Sequence, residues 1–252
     1  NTSQEGLLIT LLCTGLQSGL DTEMAFVKSR FSEYDMFFDG AVQRDVYECF
    51  QKVLHILHLG SRYSLLDSSI VSADSDEFYV SSTISNFGFT LQKTLICQNC
   101  EQSSIFYIPN SIFNVYPIEG KHVESLITES LISRLQKGCI CSDHDTLHLE
   151  NLAFQDPPKI LLVVINRYEY TLRAEKNKSS VYTDDQLQIN GRTYHCHAVI
   201  YHLGESTRSG HYTAKLFYDS NNYYCDDYNV SLSDNEDKLS NSSYLMFYVR
   251  SG

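Results

Sequence analysis

From Tyr194 onward the chain reads as strand, turn, strand. His195–Tyr201, His211–Tyr218, Tyr223–Cys225 and Tyr244–Val249 are strand-length runs rich in aromatic and branched residues, separated by Gly-, Ser- and Asn-rich turns. Just upstream, Pro157-Pro158 opens onto Ile160–Ile165, an apolar run of strand length that the prolines bar from helix entry. The second half is therefore committed to sheet. Earlier segments differ. Gln43–Leu59 carries Val46, Phe50, Val53, Leu54 and Leu57 at helical spacing, and Val123–Leu135 places Val123, Ile127, Leu131 and Leu135 on one stripe. Leu7–Leu16 is apolar and of helix length. Phe78–Ile84 and Phe87–Ile96 are strand-like and lead into a cysteine pair, while the polar stretch Ala174–Asp185 reads as a surface loop. Helices first, a strand insertion, then a β-rich half make an α+β chain, one unit with a projecting finger.

At 252 residues and 42% hydrophobic content the chain can bury one sizeable core, divided into lobes around a cleft. Its 18 Tyr and 13 Phe, without Trp, favour strands. A net charge of −12 argues against nucleic acid as a partner, because nothing here would release phosphate counterions, and suits a partner with a basic surface. No apolar run is long enough to span a bilayer and no signal-peptide pattern is present, so no membrane partner is expected.

The cysteines are unevenly placed. Cys97-x-x-Cys100 is one close pair; Cys139 and Cys141 lie together with His144 just after. That is metal spacing in a reducing compartment, which points to an intracellular protein, cytoplasmic or nuclear. Zinc takes four ligands in two short pairs, so Cys97 and Cys100 would supply one and Cys141 and His144 the other, with Cys139 competing for a place in the second. Cys49, Cys196 and Cys225 fall in core elements and read as packing residues. Cys13 sits inside the apolar Leu7–Leu16 segment, where a buried inert thiol is expected.

The chemistry concentrates at two ends. Ser209-Gly210-His211-Tyr212-Thr213-Ala214 sets a histidine behind a glycine, and Asp226 or Asp227 lies one hairpin away. An imidazole acting as a base needs a carboxylate on its far nitrogen to fix tautomer and orientation. The matching nucleophile position is in Asn1-Thr2-Ser3. His195, His197 and His202 alternate with apolar residues and read as solvent-side or cleft-wall positions; His55 and His58 read as helix surface.

The ordered set Asn1-Thr2-Ser3, Gln43-Arg44-Asp45-Val46-Tyr47-Glu48-Cys49-Phe50, the cysteine pair, Pro158-Lys159-Ile160-Leu161 through Asn166-Arg167-Tyr168, His202-Leu203-Gly204, Gly210-His211-Tyr212 and Ser243–Tyr248 resembles the ubiquitin-specific protease family of papain-like cysteine proteases. The resemblance implies a helical thumb at about residues 1–65, fingers and palm at 66–156, with a zinc-ribbon-like β tip, and a palm with the His/Asp box at 157–252. It implies a thiol isopeptidase that cleaves after the C-terminal Gly of ubiquitin. Ser3 stands where the family has its nucleophilic cysteine, which would leave the chain inactive as it stands. His211 matches the general base, Asp226 the orienting acid and Asp227 a supporting neighbour. Asp45 and Glu48 match carboxylates that grip the basic tail of ubiquitin; Tyr168 and Tyr212 match aromatics that wall the channel for its terminal glycines, His202 a loop position over that tail, and Gly210 is a further ubiquitin-binding position. The residues after Ser3 (Gln4, Glu5, Gly6, Leu7) depart from the family pattern. A native pseudoenzyme that holds ubiquitin as a scaffold, or a protease for another ubiquitin-like modifier, are the alternatives.

Overall fold

The computed structural model describes residues 29–33, 35, 44–66, 82–132, 134–137, 147–168, 176–206, 209–218, 221–233 and 238–252. The expectations for Ser3, the Leu7–Leu16 helix, Cys13, Cys139, Cys141 and His144 fall outside these residues. The chain divides into two compact units, Asn1–Asn86 and Phe87–Gly252.

In the first unit, helix α1 spans Val46–Leu66. It begins where Asp45 turns its carboxylate onto the free N–H groups of the first turn: Oδ1 accepts from Tyr47 N at 2.8 Å and from Glu48 N at 3.2 Å. Leu54 and Ile56 are buried, and Lys52 pairs with Asp35. The strand expected over Phe78–Ile84 is corrected in its described part: Ser82–Phe87 forms a short helix, α2. Ser82 at its start and Gly88 just past its end are helix-boundary residues, and they outweigh the local alternation.

The second unit is mostly sheet. In chain order its elements are β1 (Phe89–Cys97), β2 (Ser103–Asn110), β3 (Phe113–Val115), β4 (Lys121–His122), α3 (Val123–Leu131), β5 (Arg134–Lys137), β6 (Leu147–Asp156), β7 (Ile160–Ile165), β8 (Val181–Tyr182), β9 (Gln186–Ile189), β10 (Arg192–Ser206), β11 (Ser209–Tyr218), β12 (Asn221–Asp226), β13 (Asn229–Leu232), β14 (Leu239–Ser240) and β15 (Ser243–Arg250). An eight-stranded sheet runs β13-β12-β11-β10-β15-β7-β3, with β9 pairing β10. A separate antiparallel sheet runs β2-β1-β6-β5, and a small one β14-β8-β4.

Local chemistry explains the order. The unbroken apolar run of β7 is buried on both faces, between antiparallel β15 and parallel β3. Asn190 and Gly191 both take positive φ, 49° and 72°, and turn β9 into β10. Helix α3 buries Val123, Leu126 and Ile127 against the core. The helix expected to Leu135 ends four residues earlier: Ile132 is extended (φ −66°, ψ 145°), and Leu135 lies exposed on β5. The helix N-terminus is held from a distance by Asp184, which accepts from Glu124 N at 2.9 Å. Phe89, Phe113 and Phe154 pack at centroid separations of 5.1 to 6.3 Å where the two larger sheets meet the core.

The polar stretch Ala174–Asp185 is not a surface loop over its described part. Lys176 is buried and bridges Tyr168, and β8 carries a fully buried Val181. The Lys176 ammonium enters the interior because the backbone carbonyls of His202 and Gly204 accept from it. Among the described residues, no helix is long and apolar enough to cross a membrane.

Candidate active site

β11 and β12 pair with Ala214 opposite Cys225. One step further along that register sets Thr213 against Asp226. Alternation along a strand then puts His211 on the same face, diagonal to Asp226 and within side-chain reach. The pair closes: His211 Nε2 meets Asp226 Oδ1 at 2.5 Å. A carboxylate on Nε2 fixes the ring plane and leaves Nδ1 as the nitrogen that Asp226 does not engage. The hydrogen bond to Asp226 raises the His211 pKa; partial desolvation opposes this, and the charges of Asp226 and Asp227 reinforce it. Asp227 follows directly at φ 49°, and its carboxylate, that of Asp226 and the imidazole all lie within 4.8 Å of one another. The His211 and Asp226 side chains are 43% and 41% exposed, so the pair opens to solvent.

Behind the pair lies an aromatic layer. His202 faces Tyr212 across β10 and β11, with ring centroids 4.8 Å apart, and Tyr244 lies 6.4 Å from Tyr212. The solvent-side reading of His202 is corrected. It sits within β10 at 2% exposure, its Nδ1 3.2 Å from the Tyr168 hydroxyl. Gly210 makes the room: lacking a side chain, it lets the ring pass beneath its Cα. His195 and His197 are exposed on β10, as expected, alternating with buried Tyr194 and Cys196.

Two buried cations that the sequence reading passed over complete the surroundings. Arg167 is fully buried and donates to the carbonyls of Ser243 (2.8 Å), Asn177 (3.1 Å), Ser179 (2.7 Å) and Ser240 (3.2 Å). Burial lowers its pKa to about 10, so it remains a cation at neutral pH. Lys176 donates to the carbonyls of His202 at 2.6 Å and Gly204 at 3.1 Å. The signal that could have found Arg167 is a charged residue placed two positions after the buried strand β7.

Elsewhere, Asp45 is the helix cap described above and Glu48 is exposed in the first turn of α1. Cys97 and Cys100 bracket the tight turn between β1 and β2. Asn99 N lies 3.4 Å from Cys97 Sγ, and Glu101, at φ 59°, bonds back to the Cys97 carbonyl. In the neighbouring β5 and β6, Lys137 pairs with Leu147, and β6 sets His148 opposite Cys97. Burial raises the Cys49 thiol pKa and pushes that of Cys196 up to about 12, as packing residues would have it.

The family model described as ubiquitin carboxyl-terminal hydrolase matches residues 17–248. The chain belongs to this family. Its match to the ubiquitin carboxyl-terminal hydrolases takes in His211, Asp226, Asp45 and both buried cations and begins after Ser3. The chain is 22% identical to the mouse ubiquitin carboxyl-terminal hydrolase 17-like protein B, over 93% of this chain and 52% of that protein. It is 24% identical to human ubiquitin carboxyl-terminal hydrolase 3, over 84% of this chain and 49% of that protein. It thus spans about half the length of the curated relatives it matches. Among solved structures, the SAGA Ubp8/Sgf11/Sus1/Sgf73 DUB module bound to ubiquitin aldehyde shares the fold with a TM-score of 0.77 at 16% identity, over 92% of this chain and 54% of that one. Another structure of the Ubp8-Sgf11-Sgf73-Sus1 SAGA DUB module gives 0.73 at 17% identity, over 90% and 53%. The fold is that of a ubiquitin-specific protease domain.

Proposed function

We propose that this chain is a deubiquitinase-type thiol isopeptidase domain whose nucleophile position is held by Ser3, and which binds the C-terminal tail of ubiquitin. The single observation that carries this is the His211–Asp226 pair, with Nε2 tied to the acid at 2.5 Å and Nδ1 left to meet a nucleophile. With a thiol at position 3, the imidazole takes the thiol proton and the thiolate attacks the carbonyl of the terminal glycine. The protonated ring then gives its proton to the departing lysine amine. Water, deprotonated by the same ring, cleaves the thioester and returns the free thiol. Asp226 stabilises the imidazolium at each stage. A serine hydroxyl is too weakly acidic to form the thiolate–imidazolium pair, so the chain as it stands binds rather than cleaves.

In this reading residues 1–65 act as thumb, 66–156 as fingers and palm and 157–252 as palm. Asp45 and Glu48 meet the basic tail, while Tyr168, Tyr212 and Gly210, with His202 beneath, line the path of its glycines. The ubiquitin aldehyde in the SAGA DUB module structure supports ubiquitin as the partner. The fingers would hold a structural zinc through Cys97 and Cys100, and through Cys141 and His144, with Cys139 competing for a place in the second pair. The Asn99 N–H aimed at Cys97 Sγ is the kind of donor that steadies a metal-bound thiolate, so the described half of the site fits the ion. Zinc there ties strand ends together and takes no part in bond cleavage. A metal-binding cysteine pair also supports a reducing, intracellular location.

The test is hydrolysis of a fluorogenic ubiquitin C-terminal amide. The Ser3→Cys protein should turn it over, and His211→Ala in that background should slow it on the order of 10²–10⁴-fold. A Ser3→Cys protein that binds ubiquitin without turnover supports a scaffold instead; turnover confined to another modifier's amide reassigns the substrate.

A further inference from the structure

β10 and β15 run antiparallel, with Tyr194 opposite Arg250 and Cys196 opposite Tyr248. Going up β10 means going back along β15, and His202 N already bonds the carbonyl of Ser242, the residue just before β15 begins. Past this point β10 has run off the start of its neighbour. The other flank of the same stretch pairs with β11, where Leu203 stands opposite His211. The strand segment that faces the imidazole-bearing residue takes a contact to its outer carbonyls from outside β15.

Lys176 supplies it. Its ammonium donates to the carbonyls of His202 and Gly204, the residues on either side of Leu203. The side chain is 8% exposed, and the Tyr168–Lys176 bridge delivers it from a segment that Arg167 pins through the Asn177 and Ser179 carbonyls. Tyr168 reaches the same point from the other side, its hydroxyl on the His202 ring. Within the same strand pair, Gly204 and Gly210 touch: a Cβ on Gly204 would lie 2.8 Å from Gly210 Cα. A displacement of β10 here would be passed directly to the backbone next to His211.

We propose that Lys176 is a positioning residue for His211: its ammonium clamps the two peptide carbonyls, His202 and Gly204, that flank the residue paired with the catalytic base. The inference rests on the role given to His211 above. A lysine buried this way is unusual. Burial lowers its pKa, Arg167 and Lys178 lower it further, and Glu205 opposes them. Its ammonium donates to two carbonyl dipoles, so its position is justified by what it holds.

The experiment uses the full chain labelled with ¹⁵N-histidine, the His211 signals being assigned by their loss in His211→Gln. The groups facing that ring are Asp226 and Asp227, so its titration midpoint reports whether the Asp226 bond is kept. In Lys176→Met, the midpoint should fall toward that of an ordinary histidine, whereas Lys178→Met, which removes only an exposed partner of Glu205, should leave it in place. In the Ser3→Cys background, Lys176→Met should slow labelling by a ubiquitin C-terminal electrophile on the order of 10- to 10²-fold, as misplacement of a catalytic group does. Lys176→Gln, which keeps a donor, should be less affected in both measurements, and takes over if the methionine variant does not fold. A folded Lys176→Met or Lys176→Gln protein with an unchanged His211 midpoint and labelling rate overturns the proposal, and so does failure of both variants to fold, which makes Lys176 a structural residue only. Failure of the Ser3→Cys protein itself to label would instead count against the catalytic reading, leaving the titration to decide the clamp.

Discussion

Gly210 lies so close over His202 that a Cβ added to it would stand 2.3 Å from Nε2 of the imidazole and 2.6 Å from the Leu203 carbonyl oxygen. Neither neighbour can give way easily. The ring is buried and held by Tyr168, and the carbonyl is strand backbone paired with β11. Gly210→Ala should therefore cost about 1–3 kcal/mol, the range for overpacking a filled interior. Urea unfolding of the two proteins checks the figure.

Arg167 gives a larger effect. Its guanidinium satisfies carbonyls from three stretches of chain, at Asn177 and Ser179, at Ser240, and at Ser243. Arg167→Met removes those donors and leaves buried acceptors unpaired, an expected loss of about 3–5 kcal/mol. Arg167→Lys should recover only part of it, since an ammonium cannot span the same fork. Chemical denaturation of both variants tests the order.

The His211–Asp226 bond carries a pH signature whose sign follows from the direction of the shift. The folded state raises the His211 pKa, so the folded protein holds its proton to higher pH than the unfolded chain does. The stabilisation is complete below the ordinary histidine pKa and is lost as pH rises through the raised folded value. The stability gap between the protein and His211→Ala should therefore be wider at pH 5 than at pH 9. A gap that widens with pH would mean that the ring is held neutral.

Metal analysis addresses the fingers. Purified protein should carry about one zinc per chain after mild dialysis, and Cys97→Ser or Cys100→Ser should release it. Protein without zinc under these conditions removes the ion from the account and leaves the β1–β2 turn to hold itself.

Much of the sheet was legible because its code is local. The apolar run Ile160–Ile165 could only be a buried strand, and the spacing of His211 and Asp226 across one hairpin brought them together as strand alternation requires. Elements whose meaning depends on distant partners were not legible. His202, between Tyr201 and Leu203 and close to Gly204, reads as cleft wall until Gly210 is seen to lie above it. Lys176 looks like a loop residue because its partners, His202 and Gly204, are 26 and 28 positions away. Leu135 continues the stripe of α3 in sequence, yet the chain turns extended at Ile132 to enter β5. Asp45 matches a substrate-gripping acid by resemblance, and what the structure shows is its place as the cap at the start of α1.

The most direct measurement is a mass map of the adduct formed between the Ser3→Cys protein and ubiquitin bearing a C-terminal electrophile. The account predicts a single linkage at residue 3 that vanishes in His211→Ala. An adduct on any other cysteine, or one at residue 3 whose rate ignores His211, would contradict it.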